Sequence, residues 1–472
     1  MNAWRNRSPG DLSVELPEVV ATPVPPAIEA ARAATADWAS TRLEDRIDRL
    51  RGCRSAIEPL KDELAMAIAV EVGKPVKEAT GELSAVLAKF DLSFADARRW
   101  LVDEAVTDGP HPALIRRRAR GPAAVIGPFN FPIHLPHGQI VAHLLAGNPV
   151  IFKPSPLAGN VCGRYASLMA GALPPGVFTL VQGGADAGQA VCASPSVRSI
   201  AFTGSVPAGR AIARSIAGDL SKDAALELGG KCATIVCEDA EIEPAAAACA
   251  EAACLTAGQR CNATSRVIVH ERVRSAFVEA FLKHLHAFVP GDPTSESTRL
   301  GPVVSADALR RYEALTAVAD AEAGGHWLKR GHVPASVGGK VGHYVEPAAI
   351  LFEGVSAARK AARFTREEAF APVVSLITVC GDEEAVAVHN DPPFGLTASV
   401  FTRSEARFRR LADRLFAGNV YANLPTTLSP STLPFGGWGE SGNGRPGGRG
   451  FVRFVTDEQA VQWKSWPGQT SV

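Results

Sequence analysis

The chain has 472 residues, 46% hydrophobic and 21% charged, enough for two or three domains with large cores and too apolar for a disordered or fibrous protein. Lys plus Arg equals Asp plus Glu, 49 each, so net charge draws it neither to nucleic acid nor to a membrane surface. The N-terminal residues lack an apolar signal core and no run of about 20 apolar residues could span a bilayer, which points to a cytoplasmic protein.

Residues 1 to about 26 are Pro-rich and weakly patterned, an arm or loop. Apolar residues at spacings of three and four then predict helices over 27–40, 44–58, 62–72 and 76–101, with Gly73 and Pro75 ending the third. These helices carry no obvious chemistry and are expected to pack on a sheet. Between about 106 and 120 the run Ile115-Arg-Arg-Arg-Ala-Arg120 reads either as a phosphate patch or as a solvated strand or subunit contact.

From Ala123 short apolar runs alternate with helical segments. Strands are expected at 123–126, 149–152, 177–181, 199–202 and 225–228, with helices near 137–146, 159–172, 185–192 and 207–218. That alternation predicts an α/β fold with a parallel, doubly wound sheet, whose ligands sit beyond the carboxyl ends of the strands. A second αβ region follows Gly230. It has strands at 234–236, 266–270, 342–353, 372–379, 396–402 and 418–423, and helices near 244–256, 275–288 and 307–321. A Gly/Pro/Ser/Thr-rich loop, 425–450, precedes a terminal arm from 451 to 466.

The nine cysteines are odd in number and scattered, with no C-x-x-C and no histidine at zinc-like spacing, so neither a disulfide framework nor a metal site is expected. Cys261 stands apart, in Ala257-Gly-Gln-Arg-Cys-Asn-Ala-Thr-Ser265 at a helix-to-strand junction. It reads either as a nucleophile or as one more small buried hydrophobe. Asn130, in Gly127-Pro-Phe-Asn-Phe-Pro132, is placed to donate to an oxyanion or to cap the next helix. Lys153, in Phe152-Lys-Pro-Ser155, ends a buried strand as a positioned ammonium or a surface turn. Gly204 and Ser205, in Phe202-Thr-Gly-Ser205, open a helix whose N-terminus suits a pyrophosphate or is simply a capping turn. Glu227, in Leu226-Glu-Leu-Gly-Gly-Lys231, is a carboxylate among apolar residues, which raises its pKa and suits it to base work.

Taken together, these motifs resemble the NAD(P)-dependent aldehyde dehydrogenase superfamily. So do Glu367-Glu-Ala-Phe-Ala-Pro-Val373 and Pro434-Phe-Gly-Gly-Trp-Gly-Glu-Ser-Gly-Asn-Gly-Arg445, and the order holds from about residue 20 onward. The resemblance implies that Cys261 attacks the aldehyde as a thiolate, that Asn130 and the Cys261 backbone N–H hold the oxyanion, and that Glu227 activates water against the thioester. A free thiol ionises near pH ~8.5, so nearby N–H groups or a base must help it. Lys153, Ser155, Gly204, Ser205, Glu368 and Phe370 match the family's contacts to NAD. Within the superfamily, residues 127–138, 144–155, 180–184, 256–261 and 441–446 most resemble the branch acting on N-succinylglutamate 5-semialdehyde. Arg260 and Arg445 are candidate cations for such an acidic substrate.

The resemblance further implies a Rossmann-type cofactor lobe (1–100 and 119–231), an αβ catalytic lobe (232–445) and a small oligomerisation element (101–118 and 446–472) in a homodimer or homotetramer. A coenzyme A-acylating enzyme and a non-catalytic member of the fold are the alternatives. Four departures from the family pattern stand out. Pro156 occupies the place of a ribose-binding glutamate, which admits NADP. Ala371 replaces a glycine, Asn262 and Ala263 follow the cysteine, and the N-terminus starts without an initial hairpin.

Overall fold

The computed structural model describes residues 3–464 apart from 108 and 110. Its first sheet has five parallel strands, Ala123–Ile126, Val150–Lys153, Phe178–Leu180, Ser199–Thr203 and Asp223–Glu227, ordered third, second, first, fourth, fifth across the sheet. Phe202 lies opposite both Ile126 and Leu226, so the three strands around it end level. Successive side chains of a strand point to opposite faces. Ala124, Ile126, Ile151, Ile200, Phe202 and Leu226 accordingly meet the helices Val24–Ser40 and Ala185–Ala193 on one face. Val125, Val150, Phe152, Ala201 and Ala225 meet His134–Leu145 and Gly159–Gly171 on the other. Each fully buried Val, Ile or Phe contributes about 1.5–3 kcal/mol, which is why the centres of these strands read as short apolar runs. The strand order reverses between the first and fourth strands, where an open α/β sheet leaves a crevice for ligands. The turns bearing Asn130 and Gly204-Ser205 leave from those two strands.

A second, seven-stranded sheet runs His326–Lys329, Ala348–Phe352, Val373–Val379, Arg266–His270, Ala233–Val236, Thr397–Phe401 and Asn419–Ala422. It is parallel except for its first strand, a hairpin partner absent from the expected elements. Two helices, Asp382–Asn390 and Glu405–Ala412, were also not anticipated. The loop after Ala422 is more than a linker. Gly442–Asn443 crosses to the first sheet and pairs antiparallel with Leu226 and Glu227.

A third sheet joins Glu104–Val106, Ala113–Ala119 and Thr456–Gln462, all antiparallel. Here three of the four arginines are ion-paired: Arg116 with Asp103, Arg117 with Glu458, and Arg120 with Asp223 and Asp457. It is a strand with ion-paired flanks and not a phosphate patch. The terminal arm contains the helical turn Phe451–Phe454 before its strand. Residues 465–472, the end of the expected oligomerisation element, and residues 1 and 2 of the N-terminal arm lie outside the described residues.

That N-terminal arm does carry a hairpin, Arg7–Ser8 against Asp11–Glu15, and Ala3–Trp4 pairs with Val19–Val20. Strands of two residues have no period to read. Among the described residues no helix is long and apolar enough to cross a membrane.

Candidate functional site

The helix Ile242–Cys254 stops earlier than its alanine run suggests, and Thr256 (φ 54°) and Ala257 (φ 53°) then turn left-handed ahead of Gly258. A non-glycine residue in that region costs about 1–2 kcal/mol, so the turn needs outside support. Glu78, on the helix Val76–Trp100, supplies it. Its carboxylate accepts the Thr256 backbone N–H at 3.0 Å and the Thr256 hydroxyl at 2.7 Å, and pairs with Arg260 Nη2 at 2.6 Å. Gln259 adds a second brace, donating to the Thr256 carbonyl at 3.0 Å and accepting the Val304 N–H at 3.0 Å. Cys261 emerges from this frame partly exposed.

Across from it, Glu227 ends the fifth strand, 2% exposed, and neither carboxylate oxygen has a hydrogen-bond partner among the described residues. Burial pushes its pKa up to about 8, and the charge of Glu368 adds to that, while the Cys261 thiol and Arg445 oppose it. Burial, and next the Glu227 charge, also hold the Cys261 thiol well above its ordinary value. The resting pair is therefore thiol and carboxyl at neutral pH, each raised by its surroundings. Once ionised, Glu227 is the base beside the thiol.

Gly229 and Gly230 let these loops meet. A Cβ on Gly230 would fall 2.1 Å from the Cys261 carbonyl oxygen, and one on Gly229 would fall 2.3 Å from Glu368 Oε2.

Asn130 is buried, donating Nδ2 to the Gln259 carbonyl at 2.8 Å and accepting the Phe131 N–H at 3.1 Å. It does not cap the following helix. That task falls to Glu82, whose Oε1 accepts the N–H groups of Ile133 at 3.1 Å and His134 at 3.0 Å. One hydrogen of the Asn130 amide remains beyond the Gln259 contact.

A pocket of about 380 Å³ opens over Cys261 and is walled by Arg260, Asn262, Phe131 and His134, together with Glu78, Glu82 and Lys89 of one helix. The helix expected to lack chemistry thus forms one side of the site. Its pocket residues 78, 81, 82, 85 and 89 share a single helical face whose charges read in sequence as solvated. Arg260 reaches the pocket with its charge already matched by Glu78 and its guanidinium 4.9 Å from the Phe131 ring centroid. Arg445 is not brought there. Its Nη2 donates to the carbonyls of Gly418 and Pro434 at 2.9 and 3.2 Å, and to Asn419 Oδ1 at 3.2 Å, cementing the loop.

The other motif residues gather at the strand ends of the first sheet. A second cavity, about 400 Å³, is lined by Ile126, Lys153, Gly188, Phe202 and Ile212. Lys153 Nζ donates to the Pro154 carbonyl at 3.0 Å, and burial takes its pKa down to about 8. Ser205 caps the eleven-residue helix Val206–Ile216 beside the cavity, accepting the Ala208 N–H at 3.4 Å, while the Gly204 N–H donates to the Glu227 carbonyl at 3.0 Å. Apolar walls, a buried ammonium and a helix N-terminus fit the adenosine and pyrophosphate of a dinucleotide. Ser155 instead caps the short turn Pro156–Ala158 through the Leu157 N–H.

Glu368 and Phe370 line a crevice with Gly230, Gly258 and Arg260. Burial raises the Glu368 pKa to about 7, held back by the Gly230 N–H, which it accepts at 2.9 Å, and by Lys231. Phe370 is left-handed (φ 51°) and meets the Phe129 ring edge-on at 5.9 Å.

A thiol facing a buried carboxyl, next to a doubly wound sheet with a cavity suited to adenosine and pyrophosphate, defines a class of covalent redox catalyst. The sequence pattern of the aldehyde dehydrogenase family matches residues 3–461, and the chain belongs to that family. Among curated proteins, it is 38% identical to N-succinylglutamate 5-semialdehyde dehydrogenase 1 of Caulobacter vibrioides, over 89% of this chain and 87% of that protein. N-succinylglutamate 5-semialdehyde dehydrogenase of Pseudomonas fluorescens is 35% identical over 90% of this chain and 86% of its own length. Among solved structures, the NAD-dependent aldehyde dehydrogenase from Sinorhizobium meliloti superposes with a TM-score of 0.90 at 30% identity, covering 99% of this chain and 93% of that one.

Proposed function

We propose that the protein oxidises a carboxylate-bearing aldehyde, such as N-succinylglutamate 5-semialdehyde, to the carboxylic acid with NAD, through a thioester on Cys261. The observation that carries this reading is the Cys261 thiol beside a buried Glu227 whose oxygens are otherwise unengaged. The names of the similar curated proteins support the substrate class, and the solved NAD-dependent relative supports the cofactor.

In the first step Glu227, its carboxyl having released a proton to solvent, takes the thiol proton as a carboxylate while sulfur bonds to the aldehyde carbon and the carbonyl electron pair moves onto oxygen. The free hydrogen of the Asn130 amide and the Cys261 backbone N–H receive that oxyanion. Losing one such donor costs on the order of 100- to 1000-fold. Lys153, Gly204, the Ser205 helix, Glu368 and Phe370 would hold NAD, which would supply the hydride acceptor that oxidation of the thiohemiacetal to a thioester requires. Glu227 then passes its proton to solvent and, as a carboxylate, takes one from the attacking water. The carbon–sulfur bond breaks, the thiolate leaves and the acid is released.

In this account residues 1–100 and 119–231 hold the dinucleotide, and 232–445 carry the thiol. The sheet of Glu104–Val106, Ala113–Ala119 and Thr456–Gln462 joins subunits of a homodimer or homotetramer. No carboxylate stands at Pro156 to repel a 2′-phosphate, so NADP is accepted as well as NAD.

A panel of aldehydes run with both cofactors tests the reading. N-Succinylglutamate 5-semialdehyde and succinic semialdehyde should give reduced cofactor and free acid, and Cys261→Ala should give neither. Stoichiometric acyl-CoA in the presence of coenzyme A, or turnover that survives Cys261→Ala, would contradict it.

A further inference from the structure

The charged groups of the Cys261 pocket cancel one another, with one exception. Glu78 is matched by Arg260. Glu82 is matched by Lys74 behind the wall, Nζ to Oε2 at 2.6 Å with both side chains fully buried. Lys89 lines the same wall, 6% exposed, and no hydrogen bond or ion pair holds its Nζ among the described residues. Asp96 is the acid acting on it, and that carboxylate already receives Arg449 Nε at 3.2 Å and the Gly450 N–H at 2.8 Å. The pocket therefore carries one uncompensated positive charge.

Room has been left for the ammonium. Gly138 faces it, and a Cβ there would stand 3.0 Å from Lys89 Cε and 3.9 Å from Nζ. His134, also on the pocket, has its Nδ1 buried without a partner. An ammonium removed from water without a counterion is costly, and a bound anion offsets that cost.

From this geometry we infer that Lys89 is the specificity-determining residue of the site, the cation that receives the carboxylate at the far end of the aldehyde substrate, with His134 Nδ1 beside it. The inference rests on the reading that aldehydes react at Cys261. Arg260, its charge spent on Glu78, shapes the pocket through Phe131 and does not read the anion. Uncharged aldehydes of the same length enter the pocket but leave the ammonium bare.

The test compares succinic semialdehyde with butanal, equal in chain length and differing in the carboxylate, in the wild type and in Lys89→Met and Lys89→Arg. In Lys89→Met the ratio of kcat/KM for the acidic over the neutral aldehyde should fall by about 30-fold or more, mostly through KM, since truncating one partner of a buried charge pair has effects of that order. Lys89→Arg should restore most of the ratio. A ratio unchanged in Lys89→Met overturns the inference, as does an equal loss on both aldehydes. A readout without catalysis separates this outcome from failure of the aldehyde reading. Glutarate should protect Cys261 from iodoacetamide in the wild type and fail to do so in Lys89→Met. That result would uphold Lys89 even if no aldehyde were oxidised, whereas equal protection in both proteins would overturn it.

Discussion

The Cβ that Gly230 lacks would lie 2.1 Å from the carbonyl oxygen of Cys261, far inside any real contact. The strand that delivers Glu227 and the loop that delivers the thiol therefore touch backbone to backbone, and their separation is set at residue 230. Gly230→Ala must push the two apart. Misplacement by about 1 Å can cost on the order of 100-fold in rate, and overpacking costs about 1–3 kcal/mol of stability. Steady-state turnover should fall by about that factor in a protein that still folds by circular dichroism. Near-normal turnover in Gly230→Ala would show that the thiol and carboxyl do not depend on this contact.

Glu78 supports the left-handed turn at Thr256 and matches the charge of Arg260. Both ends of that ion pair are mostly buried, and removing one partner of a buried pair costs about 3–5 kcal/mol. Glu78→Gln keeps the size and part of the hydrogen bonding, so a loss of about 2–3 kcal/mol is expected in urea unfolding. Alkylation of Cys261 should change in rate, because its loop loses a brace. Unchanged unfolding together with unchanged alkylation would remove Glu78 from the frame of the site.

Glu227 gives the fold a pH signature. Its folded pKa is about 8, whereas an unfolded glutamate titrates near pH ~4.3. Between those values the folded chain holds a proton that the unfolded chain has released. The stability linked to this group is fully present below about pH 4 and is lost as pH rises toward 8, by at most about 1.4 kcal/mol per pH unit. Glu227→Gln has no such proton to lose. Urea unfolding at several pH values between about 5 and 8 should show the variant gaining on the wild type as pH rises. A difference that stays flat across this range would mean the carboxyl is not buried as a neutral acid.

Much of the frame was legible because it repeats. Buried parallel strands such as Ala123–Ile126, and Arg266–His270 with its Val-Ile-Val centre, are marked by apolar runs, and the amphipathic helices over residues 24–100 keep a period near 3.6. The convergence of Asn130, Glu227 and Cys261 was readable only from motif order, since no local pattern sets residues 130 and 259 in contact. The N-terminal hairpin, with one strand of two residues, had no period to find. Lys89, Glu78 and Glu82 were missed for a different reason. Charges on one face of a helix look solvated, and only the packing of Val76–Trp100 against the Cys261 loop turns that face inward. Arg445, placed by sequence among substrate cations, instead has its Nη2 donating to the carbonyls of its own loop.

The central claim, that Glu227 resolves a thioester on Cys261, meets its most direct test in stopped-flow measurement of NADH formation by Glu227→Gln with a semialdehyde substrate. The account predicts a burst slower than in wild type that still approaches one NADH per Cys261, followed by steady-state turnover about 100-fold or more below wild type, as expected when a general base is removed. Wild-type steady-state turnover in Glu227→Gln would contradict it.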